Sequence, residues 1–227
     1  GAIDAIIYPA LQQAVKGFKP IAVTDCLNFA NPERVEVMTD FVQTCDLYAE
    51  IAQRLDAPII SGNVSFYNET EGKGITPTPA VGLVGLKEND DPISECVFNE
   101  SDLTVFLVQM PGVVSYAKTA EVFKKESSFS GDLLVPLLCD FIPAMTAFAA
   151  KTRPQVSRVV GQGGLAVTLD KMKADGFECV FETGESHLFS STEFLFEERL
   201  YDFVFAVNGA QRATFEKELD VLVKKWN

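Results

Sequence analysis

The sequence predicts an α/β (α+β) protein in which short strands alternate with amphipathic helices. Two apolar runs, "PIAVT" and "APIIS", have the length of buried strands, and apolar residues recur at helical spacing between them. The second part of the chain again mixes a strand-like run, "LTVFLVQM", with an amphipathic helical pattern, "AQRATFEKELDVLVKKW". With 227 residues, 47% of them hydrophobic, the chain can fold as one large domain or two small ones.

The first predicted helix precedes "PIAVT". Four apolar residues recur there at helical spacing, namely Ile6, Ile7, Leu11 and Val15. Gly17 ends the pattern, and Pro9 is expected to limit how early the helix begins.

The second helix is predicted after Asn31, which would be its N-cap, with Pro32 at the first helical position. Its buried stripe comprises Val37, Phe41, Cys45, Tyr48, Ile51 and Leu55. Together with its two flanking strands, this helix makes a βαβ unit from Ala22 to Ile60 with parallel strands. The run "TPAVGLVGL" predicts a third strand.

A domain boundary is predicted where acidic residues, Pro and Asn crowd together, at residues 87–102. It divides the chain into a domain of residues 1–88 and a domain of residues 89–227. Within the second domain, "LTVFLVQM", "FECVFE" and "RLYDFVFAV" predict strands. Helices are predicted at residues 133–151 and 164–174 and in the closing amphipathic stretch.

Composition argues against several classes of function. The net charge of −13 is unlike that of a protein that binds nucleic acid or an anionic membrane. Five cysteines without a C-x-x-C pair, and a single histidine, give little support to disulfides or a zinc site. No secretory leader is recognisable, and the apolar runs look shorter than the ~20 residues of a membrane-spanning helix. We therefore expect a cytoplasmic protein.

Small polar residues follow the two parallel strands. Asp25 comes at the end of "PIAVT", and Gly62, Asn63 and Ser65 lie in "SGNVS" after the second strand. Ligands bind at the carboxyl ends of parallel strands, so these groups are expected to converge there. Carboxylate and amide oxygens suit Mg²⁺, and glycine allows a phosphate close to the backbone. The same residue types are also ordinary turn formers, so a purely structural role fits the pattern as well.

The remaining polar features are weaker signals. "GQGG", residues 161–164, precedes a predicted helix and is interpreted as a plain helix start or an anion-binding loop. His187 has no legible catalytic partner, and the cysteines have no basic neighbour in sequence that would activate a thiol. No catalytic residue is assigned.

Two longer motifs resemble a known family. "PIAVTDCLNFANPE" and "APIISGNVSFYNET…ITPTPAVGLVGL" are similar to the second half of the phosphoribosylformylglycinamidine synthase family, within the AIR-synthase-related superfamily. The resemblance is dense over residues 20–86 and sparser beyond, where "GGLAVTL" carries it. It implies an AIR-synthase N-terminal-type domain, expected to be incomplete, followed by a C-terminal-type domain.

The resemblance also implies a function. Members are ATP-dependent ligases of purine biosynthesis that convert formylglycinamide ribonucleotide and ammonia, drawn from glutamine, to the amidine. It assigns ATP contacts to Asp25 and Gly62, a Mg²⁺ ligand to Asn63 and a substrate contact to Ser65. The implied partners are the first half of the synthase, which shares the active cleft, and a glutamine amidotransferase; self-association of the chain is also expected.

The chain departs from the family pattern at several positions. Ala30 replaces a common glycine, and Tyr8 and Gln12 replace a common Glu and Asn. Arg158, Val159 and Gly161 stand where the family has His, Asp and Ser. These losses support a second hypothesis, a catalytically silent scaffold half that pairs with the first half and docks the amidotransferase. A kinase of the same superfamily is a third.

Overall fold

The computed structural model describes residues 1–110, 131–175, 191–199 and 201–226, with the backbone alone at 131–133. These residues form two compact units. The first unit contains residues 1–14, 18–89 and 131–144. The second contains residues 15–17 and 90–110, together with the described residues from 145 onward.

The first unit begins with α1 (Ala2–Ala14), β1 (Lys19–Asn28), α2 (Val35–Leu55) and β2 (Ile59–Ser65). A short hairpin of β3 (Glu69–Thr70) and β4 (Lys73–Gly74) follows, and then β5 (Thr78–Leu86). The sheet order is β2-β1-β5, with β1 parallel to β2 and antiparallel to β5. The predicted βαβ unit is therefore confirmed.

Helices α1 and α2 contact each other and the sheet. Fully buried residues of α1 (Ile6, Ile7 and Leu11) and of α2 (Tyr48 and Ile51) make the core together with Val23 and Leu27 of β1. Along β5 the exposure alternates between the two faces, as it does in a sheet covered on one side only. The sheet thus has a helix-covered face and an open face.

Two predicted helix starts were wrong. α1 begins at Ala2 and carries Pro9 in its interior, where buried residues on both sides of the proline hold the helix against the core. α2 begins at Val35 instead of Pro32, because Asn31 closes a turn: its Oδ1 accepts the Glu33 N–H at 2.9 Å. The residue before α2, Arg34, makes no side-chain cap.

The second unit has β6 (Thr104–Val108), β7 (Val156–Val159) and β8 (Phe203–Val207) in the order β6-β8-β7, all antiparallel. Its helices are α4 (Gly164–Asp170), α5 (Thr192–Phe196) and α6 (Gly209–Trp226). The long helix α3 (Gly131–Thr152) contributes residues to both units.

All five residues of the central strand β8 are buried. On one side a ring cluster surrounds Phe215, whose centroid lies 4.7 Å from Phe106, 5.1 Å from Phe148 and 5.5 Å from Phe205. A separate aliphatic cluster joins Val204 and Ala206 of β8 to Val156, Leu165 and Met172. The strand is packed on both faces.

Several predictions for the second unit can be compared with its structure. The strand in "LTVFLVQM", the strand in "RLYDFVFAV" and the closing helix are confirmed, and α4 is shorter than predicted, ending at Asp170. "FECVFE" and His187 lie outside the described residues.

Residues 134–152 of α3 form a stretch that is long and apolar enough to cross a membrane, longer than the sequence led us to expect. This is weak evidence of a span, because core helices of soluble proteins meet the same criterion. Leu138, Ile142 and Met145 are fully buried.

Candidate functional site

The candidate site lies on the neighbouring strands β1 and β2, which extend to Asn28 and Ser65, so Asp25, Gly62 and Asn63 stand within the strands and not after them as predicted. Because the strands are parallel neighbours, Asp25 stands level with Gly62, Cys26 with Asn63, and Asn28 with Ser65. The predicted adjacency of the two strands is thus confirmed at the level of the backbone.

Gly62 and Asp25 are in close contact. A Cβ atom on Gly62 would collide with Asp25 Oδ1 and lie 3.0 Å from Asp25 Cγ. The carboxylate therefore lies over the β2 backbone on the helix-covered face, in space that only glycine leaves free.

The Asp25 carboxylate is half-buried and accepts no hydrogen bond from the described residues. Burial raises its pKa above the ordinary aspartate value of 3.8. The Asp25 charge also acts on two side chains of α2. Burial raises the pKa of both Cys45 and Tyr48, and the negative charge of Asp25 raises both pKa values further. Asp25 is thus a partly buried carboxylate whose charge acts on a phenol and a thiol of α2.

Asn63 and Ser65 lie on the opposite face. Neighbouring residues of a strand point to opposite sides of the sheet. Gly62 is on the helix-covered face, so Asn63 and Ser65 are on the open face. Asn63 is exposed and makes no side-chain hydrogen bond with the described part of the chain. The four predicted site residues therefore form two pairs, and the expected convergence of Asp25 and Asn63 on one point was wrong.

The rest of "SGNVSFYNE" is used in local structure. Asn68 Nδ2 donates to Phe29 O and to Ser65 O, both at 2.9 Å. Glu69 forms an ion pair with Arg34 at 3.2 Å and accepts the Asn31 N–H at 3.3 Å. These contacts hold the loop, and none of them involves the side chain of Asn63 or the neighbouring carboxylate of Asp25.

The described residues contain no cluster of three or more His, Cys, Asp or Glu side chains suited to a metal ion. A single carboxylate beside a close-approaching backbone fits an ion that arrives with a nucleotide, since Mg²⁺ takes much of its shell from phosphates and water. Asp25 and Gly62 have this arrangement, and Asn63 offers one amide oxygen on the other face.

Backbone N–H groups of the "GQGG" segment donate hydrogen bonds to side chains of the chain itself. Gly163 N–H donates to Glu198 Oε1 at 3.0 Å, and Gly161 N–H donates to Thr168 Oγ1 at 3.1 Å. A Cβ on Gly164 would lie 2.7 Å from the carbonyl carbon of Phe196, so that glycine is required by packing. Of the two interpretations, the plain helix start fits the structure.

Fold and site together define an α+β domain in which a parallel strand pair carries polar side chains without hydrogen-bond partners among the described residues. Residues 2–87 match the family described as AIR synthase related protein, N-terminal domain. The match confirms the predicted resemblance and fold class over this part of the chain.

Curated relatives extend the similarity over most of the chain. Phosphoribosylformylglycinamidine synthase subunit PurL of Carboxydothermus hydrogenoformans is 33% identical over 96% of this chain and 30% of its own length. PurL of Sulfurimonas denitrificans is 30% identical over 98% of this chain and 30% of its own. The chain thus spans about a third of these curated relatives.

Solved structures share the fold. The HypE–HypF complex contains a chain that superposes with a TM-score of 0.65 at 18% identity, covering 97% of this chain and 72% of that one. Thermotoga maritima PurL complexed with ATP superposes with a TM-score of 0.62 at 13% identity, covering 98% and 35%. At these identities the likeness concerns the fold alone.

Tyr48 is the side chain near the site that sequence reasoning placed only in the core. Its hydroxyl is buried without a hydrogen-bond partner among the described residues. The spacing of Cys45 and Tyr48 on one helix face was legible in the sequence, but their proximity to Asp25 depends on how α2 packs on β1.

Proposed function

We propose that this chain is part of a phosphoribosylformylglycinamidine synthase and supplies one wall of its ATP-dependent active cleft. The carrying observation is the uncommitted Asp25 carboxylate over Gly62, on the parallel strand pair of an AIR-synthase-related domain. The similarity to PurL over most of the chain supports the same reaction, as does the fold shared with T. maritima PurL in complex with ATP.

In this proposal Asp25 and Gly62 contact the nucleotide from the helix-covered face. Gly62 lets a phosphate approach the β2 backbone, and Asp25 orients the nucleotide or its hydrated ion. Asn63 binds Mg²⁺ on the open face, with phosphate or water completing the shell, and Ser65 contacts the formylglycinamide ribonucleotide. Mg²⁺, when bound, would offset the charge of the nucleotide phosphates. No residue of this chain is proposed as the proton-transferring group.

The first half of the synthase is the proposed partner. β2 and β5 are the edges of the sheet, and they expose Ile60 (66%), Val84 (48%) and Leu86 (53%). Burying these exposed apolar side chains would stabilise a complex with another domain. Without that partner, the same side chains would favour self-association of the chain. With a net charge of −13, the chain also needs cationic groups from its partner or from Mg²⁺ to hold phosphates. A glutamine amidotransferase and a cytoplasmic location belong to the same proposal.

The test is ammonia-dependent ADP release with formylglycinamide ribonucleotide and Mg·ATP. We expect the chain alone to be inactive, and activity to appear when it is mixed with a separately expressed first half of a PurL relative. If the two polypeptides associate and still release no ADP, the proposed cleft is contradicted.

Asn63→Ala tests the metal assignment. It is expected to weaken Mg²⁺-dependent nucleotide binding by the mixed halves about tenfold, since one charge-assisted oxygen contact is lost. Asn99→Ala, at another exposed asparagine, is the matched control and should change nothing. A Mg²⁺ dependence unchanged by Asn63→Ala would remove the assignment.

One observation favours the alternative, a silent scaffold half that pairs with the first half and docks the amidotransferase. In the second unit, the glycine loop begins at the altered Ser position, Gly161, and the N–H groups of Gly161 and Gly163 donate to Thr168 and Glu198 of the chain itself. Association of the halves with nucleotide binding unaffected by Asp25 and Asn63 substitutions would support this function.

A further inference from the structure

The hydroxyl of Tyr48 is an unusual feature of the first core. The side chain is 1% exposed, and the hydroxyl has no hydrogen-bond partner among the described residues. A buried hydroxyl without a partner costs free energy that phenylalanine, with nearly the same shape, would not. The polar atom therefore needs an explanation beyond packing.

Two ionisable side chains act on the Tyr48 phenol, Asp25 and Cys45, and Asp25 is the charged one because burial raises the pKa of the Cys45 thiol. Asp25 points to the helix-covered face of β1, on which α2 carries Tyr48, and Gly62 borders the carboxylate from β2. The Asp25 charge acts on Tyr48 strongly enough to raise the pKa of the phenol beyond the increase that burial causes. The hydroxyl therefore keeps its proton at neutral pH and remains a hydrogen-bond donor.

Two groups of complementary character thus occur on the same side of the sheet: among the described residues the Asp25 carboxylate has no donor and the Tyr48 hydroxyl has no acceptor. Carboxylates that hold ligands are commonly fixed by a second hydrogen bond on the side away from the ligand.

We propose that Tyr48 is a positioning residue, whose hydroxyl donates to Asp25 and fixes that carboxylate in its nucleotide-binding orientation. This inference rests on the proposed function and adds to it a residue that acts through Asp25 and does not touch the substrate. The cost of the unpaired hydroxyl is then offset when the nucleotide binds.

The decisive variant is Tyr48→Phe, studied by Mg·ATP calorimetry on the chain mixed with the first half of a PurL relative, and by urea unfolding of the chain alone. We expect binding to weaken about tenfold, as for the loss of a hydrogen bond to a charged group. The urea midpoint should stay equal or rise, because an unpaired buried hydroxyl is removed. Tyr201→Phe, at a buried tyrosine of the second unit, should leave Mg·ATP binding unchanged.

A double variant separates action through Asp25 from a merely structural role. If Tyr48 works through Asp25, Tyr48→Phe should cause no further loss of binding in an Asp25→Asn background. Binding equal to wild type in Tyr48→Phe, or the same tenfold loss in both backgrounds, would overturn the inference. If the wild-type mixture does not bind Mg·ATP, the proposed function fails first and this inference fails with it.

Discussion

The two sheets of this protein treat their polar groups in opposite ways. Within β1 and β2, the side chains of Asp25 and Asn63 have no hydrogen-bond partner among the described residues, and Tyr48 of α2 carries an unpaired hydroxyl. At the start of β8, the buried Asp202 carboxylate accepts from Gln109 at 3.2 Å, Met110 N–H at 3.2 Å and Arg199 at 3.0 Å.

The same contrast holds for the strands. The central strand of the second sheet, β8, is buried on both faces, whereas β1 carries helices on one face only and its neighbour β2 is exposed over nearly its whole length. Polar groups that serve folding are satisfied within the chain, and those left unsatisfied on the strands are candidates for a ligand. The first sheet therefore has the features of a binding site and the second those of a scaffold.

The largest expected effect tests the packing of the second unit. Phe215→Ala removes a fully buried ring from the aromatic cluster and is expected to lower the free energy of unfolding of the second unit by about 3–5 kcal/mol. Val221→Ala, at a 60% exposed position of the same helix, should change it by less than about 0.5 kcal/mol. Urea unfolding measures both, and equal losses would contradict the packing described for α6.

Asp202→Ala comes next. Removal of the Asp202 carboxylate leaves the Met110 N–H and the Arg199 guanidinium without their acceptor. We expect this to lower the free energy of unfolding by about 3 kcal/mol. Burial raises the Asp202 pKa in spite of these donors, so Asp202→Asn, which keeps the shape, should cost less than alanine. An alanine variant as stable as wild type would show that the network contributes nothing.

Gly62→Ala tests the binding side. The new methyl group would displace Asp25 Oδ1, so we expect nucleotide binding by the mixed halves to fall tenfold or more, about 1.4 kcal/mol. Gly209→Ala is the matched control, because a Cβ there meets no atom within 4 Å. Calorimetry showing normal nucleotide binding in Gly62→Ala would mean that the Asp25–Gly62 contact is not part of the site.

The smallest expected effect has the opposite sign. Because burial raises the folded-state pKa of Asp25, its charge disfavours the fold above that pKa, and this cost disappears below the ordinary value of 3.8, where both states are protonated. Asp25→Asn should therefore raise the urea midpoint slightly at neutral pH and not in acid, while it weakens nucleotide binding measurably. A lower midpoint at neutral pH would show that Asp25 stabilises the fold.

Much of the fold could be predicted from local patterns. Apolar runs and helical spacing located β1, α2, β2 and α6, and the resemblance of "SGNVS" to a known motif pointed to the site. The helix starts could not be found in this way. Asn31 engages the Glu33 N–H and delays α2, whereas buried contacts hold α1 together through Pro9.

The sequence by itself determined which elements form and which residue types gather on β1 and β2, because these depend on spacing and on side-chain chemistry along the chain. Only the tertiary structure decided that Asp25 and Gly62 face α2 while Asn63 and Ser65 face the open side. That outcome depends on the pairing register of two strands separated by a 21-residue helix, since a shift of one residue exchanges the faces. Packing of α2 on β1 likewise placed Tyr48 where the charge of Asp25 acts on it.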